Sequence, residues 1–166
     1  MLGHLPLLLH QKAENVLVIG LGSGMTIGAV NQHPVKAVDV VEIETAVVEA
    51  NQYFREFTGD ALNDPRANLI VGDGRNHLAL TSRQYDVIIS EPSNPWISGM
   101  ANLFTREFFD LAKKRLPKRG VMCQWVHAYS MSSIDFKTIV RTFQAVFPHV
   151  TVWEASFGGD YLLIGS

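Results

Sequence analysis

The sequence predicts an α/β fold: a doubly wound, mostly parallel sheet of seven strands with an antiparallel last strand. Short apolar runs rich in Val and Ile alternate with longer segments in which apolar residues recur at helical spacing. These runs are almost continuously apolar, which is typical of strands buried on both faces of a parallel sheet. Gly, Pro, Asn and Asp separate the segments as turn formers. We expect the strands at 16–19, 37–43, 68–71, 85–90, 120–126, 149–153 and 161–164.

The composition is that of one soluble globular domain covering residues 1–166. The chain has 47% apolar and 18% charged residues and a formal net charge of -2. Lys and Arg do not cluster with aromatic residues, which argues against a nucleic acid partner. Cys123 is the only cysteine, so an internal disulfide is excluded and a reducing, cytoplasmic compartment is expected. The six histidines lack the spacing of metal ligands, so we expect no metal site.

The first ten residues are apolar but are not expected to enter a membrane. Met1–His10 is too short to cross a bilayer and lacks the basic flank and cleavage site of a secretory signal. We interpret it as a packing segment, and we expect no membrane contact for this chain.

A glycine-rich turn follows the first strand. Val16–Ile19 leads into glycines at alternate positions, Gly20, Gly22 and Gly24. Glycine permits a tight turn and lets bare backbone approach a ligand. A helix over Met25–Gln32 would then point its first amides at the same turn. The alternative is an ordinary connection between strand and helix.

An acidic residue at the end of the second strand strengthens the ligand hypothesis. Glu42 lies 22 residues after Gly20, about the distance at which an acid in such a unit accepts hydrogen bonds from ribose hydroxyls. A nicotinamide dinucleotide site would prefer Gly or Ala where this chain has Met25. This residue therefore argues against a nicotinamide dinucleotide as the ligand.

The third strand ends in Gly72-Asp73-Gly74, and two interpretations of its acid stay open. Asp73 could accept a hydrogen bond from the exocyclic amine of a bound base. It could equally cap a helix over Arg75–Leu80.

The fourth strand delivers the loop Glu91-Pro92-Ser93-Asn94-Pro95-Trp96. Open parallel sheets bind ligands beyond the carboxyl ends of their strands, and two prolines stiffen this loop. Glu91 is therefore the leading catalytic candidate, the alternative being a solvated loop carboxylate. Two interpretations of Trp96 stay open: it could pack in the core, or it could form a wall of the substrate site.

Three longer amphipathic helices complete the pattern. We expect them at Thr45–Phe57, capped by its first residue, at Asn102–Leu116, and from Ser132 or Ser133 to Phe147.

Taken together, these motifs carry a resemblance to a known family. The glycine turn, Glu42-Ile43-Glu44, Gly72-Asp73-Gly74 and the loop after strand four resemble the Rossmann-like class I S-adenosylmethionine-dependent methyltransferase fold, and more narrowly the spermidine synthase family of polyamine aminopropyltransferases. The resemblance is closest to a branch whose loop reads Glu-Pro-Ser-Asn-Pro-Trp. Further support comes from Met1–Leu7, Asp64-Pro65-Arg66, Asn102-Leu103-Phe104, Phe108-Phe109 and Cys123-Gln124.

The resemblance implies a role for each matching donor-site position. Glu42, with Ile43 beside it, would hold the ribose, and Asp73 with Gly74 would hold adenine. The turn from Gly20 to Gly24, which includes Gly22 and Ser23, would lie under the methionine-derived portion of the donor.

On the acceptor side, Glu91 would accept or orient the attacking amine. Asn94, Trp96 and Gln124 would lie near that amine. The donor would be decarboxylated S-adenosylmethionine or S-adenosylmethionine, and a homodimer is possible within this family.

Three departures from the family pattern keep the reaction open. Typical members carry acids where this chain has Ser23 and Asn94, and an aspartate where it has Glu91. The first hypothesis is transfer of an aminopropyl group from decarboxylated S-adenosylmethionine to a small amine. The second is a methyltransferase using intact S-adenosylmethionine, which Ser23 favours because no acid would repel the donor carboxylate. The third is a catalytically idle nucleoside-binding or interaction domain.

The family's N-terminal β-domain has no counterpart among the expected strands. Met1 is then either an internal residue of a longer protein or the start of a reduced one.

Overall fold

The computed structural model describes residues 1–92, 99–156 and 159–166. The strands are β1 (Asn15–Ile19), β2 (Ala37–Glu42), β3 (Ala67–Val71), β4 (Val87–Ser90), β5 (Val121–His127), β6 (Val150–Ser156) and β7 (Asp160–Gly165). The α-helices are α1 (Leu5–His10), α2 (Met25–Asn31), α3 (Thr45–Ala50), α4 (Arg55–Thr58), α5 (Gly74–Leu80), α6 (Arg106–Lys114) and α7 (Ser133–Gln144). Short 3-10 segments cover Asn51–Phe54, Ala61–Asn63 and Met100–Phe104.

The strands form one seven-stranded sheet in the order β3-β2-β1-β4-β5-β7-β6. Neighbouring strands from β3 to β5 are parallel, and β7 runs antiparallel to both β5 and β6. This confirms the predicted doubly wound sheet with its antiparallel last strand. The strand order reverses between β1 and β4, and the crevice at such a switch point is where open α/β sheets bind ligands.

A hydrophobic core lies on each face of the sheet, as a doubly wound fold requires. On one face, the strands pack against helices α5, α6 and α7, and on the other against α1 and α2. The first core includes Leu17, Ile88, Leu78, Phe108, Met122 and Phe143, and the second includes Leu7, Val18, Ile27, Val40, Ile89 and Cys123. Alternate residues of one strand thus serve opposite cores, which explains the continuous apolar runs.

Two helix predictions were wrong at their ends. The residue that caps α3 is Glu44, whose carboxylate accepts from the amide of Ala46, and the helix breaks into a 3-10 segment at Asn51. The helix expected from Asn102 instead begins at Arg106, because the Thr105 hydroxyl accepts from the amide of Phe108. Apolar spacing continued through both boundaries and concealed them.

The residues just before the first helix pack closely on α2, the helix that follows the glycine turn. Leu7 is buried in the core on that face. A Cβ atom at Gly3 would stand 2.5 Å from the Thr26 carbonyl and 2.8 Å from the Cβ of Ala29, so this contact requires glycine. Within the described ranges, none of the helices combines the length and the apolar character needed to span a bilayer.

Candidate active site

A cavity of about 610 Å³ lies at the carboxyl ends of β1, β2, β3 and β4. Its walls come from the turns that follow these strands, with further residues from the 3-10 segment before α6 and from β5. The lining residues are Ile19, Gly20, Gly22, Val41, Glu42, Ile43, Glu44, Val47, Gly72, Asp73, Gly74, Glu91, Pro92, Met100, Leu103 and Trp125. The structure therefore brings together four acids from three separate turns, mixed with apolar side chains.

The glycine turn has the backbone that its sequence predicts. Gly20, Gly22 and Gly24 have φ values of 97°, 51° and 83°, a region that L side chains rarely adopt. A Cβ atom at Gly20 would also lie 2.6 Å from the backbone oxygen of Glu91. The bare glycine therefore lets the turn after β1 lie directly against the start of the loop after β4.

Glu42 is fixed between two turns. The residue is buried, with only 8% of its surface exposed. One carboxylate oxygen accepts from the amide of Leu21 at 2.8 Å, and the other accepts from the amide of Glu44 at 2.9 Å. These two bonds hold a negative charge at the cavity wall in one orientation.

Asp73 both caps a helix and lines the cavity. Its Oδ1 accepts from the amide of Asn76 at 2.7 Å, so the capping interpretation is seen in the structure. A carboxylate has several acceptor positions, and one cap bond leaves capacity for a ligand. Next to it, a Cβ atom at Gly74 would collide with the side chain of Ile19.

Glu91 extends the β4 ladder by one residue and turns its carboxylate inward. Its amide donates to the carbonyl of Ile19 at 2.9 Å, and the Thr26 hydroxyl donates to Oε2 at 2.7 Å. Burial raises the pKa of Glu91 above its ordinary value, and the hydrogen bond from Thr26 offsets part of that rise. The carboxylate is half-buried and hydrogen-bonded, unlike a freely solvated loop acid.

On β5, Trp125 lines the cavity and Gln124 does not. Gln124 is fully buried on the face that it shares with Met122 and Val126, and its amide nitrogen donates to the Trp125 carbonyl at 3.1 Å. The pairing of Ser90 with Gln124 places Trp125 next to the position of Glu91. Sequence reasoning missed Trp125 because the face of a strand residue depends on register.

Two other lining residues, Met100 and Leu103, also escaped the sequence analysis. They belong to a 3-10 segment, Met100–Phe104, that only overlaps the start of the expected helix, so helical spacing did not predict which of its side chains face the cavity. Ser23 is half-buried within the turn and is not among the lining residues. Asn94 and Trp96 lie outside the described residues.

No group of three or more His, Cys, Asp or Glu side chains that could hold a metal ion occurs in the part of the chain that the structure describes. Cys123 is a buried free thiol, and burial raises its pKa. His127 is also buried, with its ring stacked on Tyr129 at 4.6 Å between centroids.

Comparison with solved structures supports the fold and the family. A spermidine synthase in complex with the transition-state analogue AdoDATO superposes with a TM-score of 0.89 at 28% identity, covering 100% of this chain and 59% of that one. Spermidine synthase from Thermotoga maritima gives 0.85 at 29% identity, covering 99% and 58%. Human methyltransferase-like protein 13 in complex with SAH gives 0.76 at 21% identity, covering 99% and 77%, which shows the fold alone.

Comparison with curated sequences points to the same family as the solved structures. The chain is 31% identical to the polyamine aminopropyltransferase of Korarchaeum cryptofilum over 172 residues, covering 96% of this chain and 53% of the relative. It is 31% identical to that of Bacillus subtilis over 157 residues, covering 94% and 56%. The chain thus spans little more than half the length of these relatives. Residues 1–156 match the family model described as the spermine/spermidine synthase domain, and the chain belongs to that family.

Proposed function

We propose that this chain forms the catalytic part of an aminopropyltransferase that moves an aminopropyl group from decarboxylated S-adenosylmethionine to a small amine. One observation carries the proposal: Glu42, Asp73 and Glu91 converge on a single cavity at the switch point of the sheet. The named activity of the curated relatives supports it, although this chain covers only 53% and 57% of their lengths.

Glu42 and Asp73 would bind the nucleoside part of the donor. The two oxygens of Glu42 each accept one backbone amide and retain capacity for the ribose hydroxyls. Asp73 uses Oδ1 for its helix and would accept the exocyclic amine of adenine with its remaining capacity. Ile43 and Val47 provide apolar surface beside them, which suits a purine ring.

The reaction is a displacement at a carbon bound to a sulfonium. The lone pair of a neutral amine forms the new C–N bond, the C–S bond breaks, and its electron pair neutralises the sulfur. The amine then loses a proton. With reference values of about 10.4 for an amine and about 4.3 for Glu, transfer of a proton from the free ammonium to Glu91 is uphill by about 8 kcal/mol.

Burial raises the pKa of Glu91 and so narrows that gap. The main work of Glu91 in this proposal is orientation: its carboxylate accepts a hydrogen bond from the amine and aims the lone pair at the donor carbon. The proton passes to the carboxylate or to water.

The acceptor would lie between Glu91 and Trp125. A carboxylate beside an aromatic ring attracts an ammonium group, and the ring also packs on methylene groups. Met100 and Leu103 extend the apolar wall. This combination fits a small aliphatic amine better than a sugar or an acid.

A second candidate is a methyltransferase that uses intact S-adenosylmethionine. Ser23 favours it, because the acid that would repel the donor carboxylate is replaced by a neutral hydroxyl. An idle nucleoside-binding domain is the third possibility.

Calorimetry with the two donors separates these candidates. We expect tighter binding of the decarboxylated donor, and Ser23→Asp should increase that preference about tenfold by adding a charge that repels a carboxylate. Turnover is then measured with small amines, and Glu91→Gln should reduce kcat at least a hundredfold. Preference for the intact donor, with methyl transfer, would establish the second candidate. Binding of neither donor would leave the third.

A further inference from the structure

We propose that Thr26 is a positioning residue that holds the Glu91 carboxylate in the orientation needed to receive the amine. This inference rests on the proposed role of Glu91. Nothing in the sequence pattern pointed to Thr26, which lies 65 residues from Glu91 and reaches it only in the folded chain.

The backbone of the glycine turn places Thr26. Gly24 has φ of 83° and precedes the first residue of α2, so Met25 faces solvent and Thr26 faces inward. Thr26 is 8% exposed, and its hydroxyl is 2.7 Å from Oε2 of Glu91. That distance is typical of a hydroxyl donating to an ionised carboxylate.

The backbone of Glu91 is fixed by its contacts with the turn after β1. Its amide donates to Ile19 and its carbonyl lies against Gly20, so the backbone has little freedom. The glutamate side chain has one more rotatable bond than an aspartate side chain would have. Thr26 restrains the end of that longer side chain, which backbone contacts cannot do.

Among the described residues, three other titratable groups lie near this carboxylate or line its cavity. The neighbouring Cys123 thiol on β5 has its pKa raised by burial and by Glu91. Glu42 and Asp73 line the same cavity. These three groups remain in a Thr26 variant, so a difference from wild type reports the hydroxyl.

The direction of the effect follows from the hydrogen bond. The Thr26 hydroxyl donates to the charged form and lowers the pKa of Glu91, against the larger effect of burial. Thr26→Val keeps the shape of the side chain and removes the donor. The variant should therefore protonate Glu91 at higher pH than wild type. Thr26→Ser restores the donor and should restore the wild-type titration.

The first measurement needs no turnover. The side-chain carboxyl carbons are labelled with carbon-13 in glutamate, Glu91 is assigned by its absence in Glu91→Gln, and its titration is followed by NMR. Thr138→Val is the matched control, because Thr138 donates to the Ile134 carbonyl on the exposed surface of α7. We expect a shift in Thr26→Val alone.

The second measurement uses the reaction. The acid limb of the kcat profile should move to higher pH in Thr26→Val by the same amount as the NMR titration, and kcat should fall about tenfold with the KM for the donor unchanged. A structural role would change the free energy of unfolding without moving the pH profile.

The outcomes separate this inference from the proposed function. An unchanged Glu91 titration in Thr26→Val overturns the inference, whatever the activity. Absence of turnover in every variant, including wild type, counts against the proposed function while the NMR titration still decides whether Thr26 controls Glu91. If Thr26→Val fails to fold, Thr26→Ala against Thr26→Ser makes the same comparison.

Discussion

The backbone oxygen of Glu91 lies 2.6 Å from the point where a Cβ atom on Gly20 would stand. These two residues directly follow the adjacent parallel strands β1 and β4, on either side of the switch point. Their contact joins the turn that we propose to lie under the donor to the loop that carries the proposed amine-orienting group. Any side chain at Gly20 must therefore displace Glu91 or strain the turn.

Gly20→Ala tests this contact. We expect the free energy of unfolding to fall by about 2 kcal/mol or more, because alanine would have to adopt φ of 97° as well as displace backbone. The measurement is urea unfolding. Gly72→Ala is the control, since no heavy atom lies within 4 Å of its added Cβ and its φ is not positive, and it should change stability by less than about 0.5 kcal/mol. Equal stability of the two variants would contradict the argument.

Glu42→Gln should weaken donor binding by about thirtyfold. Both oxygens of Glu42 accept backbone amides, so an amide side chain must turn one NH₂ donor toward another donor and also loses an acceptor for the ribose. Glu44→Gln is the matched control in the same wall, because its remaining carbonyl can still accept from Ala46. Calorimetry with decarboxylated S-adenosylmethionine makes the comparison, and similar losses in both variants would refute the ribose role.

Trp125→Leu should raise the KM for the amine about tenfold while leaving the donor KM unchanged. Leucine keeps apolar surface but removes the aromatic face that attracts an ammonium. Trp125→Phe should recover part of the loss. Trp153→Leu on the edge strand β6 is the control, because Trp153 does not line the cavity. Its indole nitrogen donates a hydrogen bond to the Thr151 hydroxyl. Steady-state kinetics with a small amine at saturating donor would show it, and an unchanged amine KM in Trp125→Leu would count against the proposed acceptor site.

A second polar cluster, at the opposite end of the sheet, predicts how stability depends on pH. Asp39 is 2% exposed and accepts from Arg83 at 2.6 Å, Asn68 at 2.9 Å and Tyr85 at 2.7 Å. The Tyr85 hydroxyl donates to Asp39, so it accepts from Nε2 of His77, 2.9 Å away. Burial alone would raise the pKa of Asp39, but the hydrogen bonds outweigh it and lower the pKa.

Asp39→Asn should therefore cost about 2 kcal/mol of stability at pH 7, from lost hydrogen bonds to a charged group. Because the folded pKa is below the unfolded one, the contribution of Asp39 is complete above about pH 4 and is lost as the pH falls through the folded value. Urea unfolding from pH 7 to pH 3 should show that the difference in the free energy of unfolding between wild type and variant becomes smaller. Asp110→Asn is the control, because Asp110 forms only an exposed 3.8 Å ion pair with Arg106, and it should show no comparable difference from wild type.

Much of the fold could be predicted before any coordinates. Seven apolar runs became seven strands, because burial on both faces leaves a continuous hydrophobic signal. Helix ends were less predictable: Glu44 and Thr105 cap helices by local side-chain bonds that apolar spacing does not reveal. The site was predictable where it follows a strand end, as for Glu42, Asp73 and Glu91, because parallel strands bring their carboxyl ends to one edge.

The sequence by itself determined the class of fold, the family and the edge of the sheet where the candidate site lies, since these depend on local patterns and on strand direction. Only the tertiary structure decided that Trp125 rather than Gln124 lines the cavity, and that Thr26 bonds Glu91. The first depends on strand register, where one residue changes the face of the sheet. The second joins residues 65 positions apart, and no local pattern encodes the distance between two such atoms.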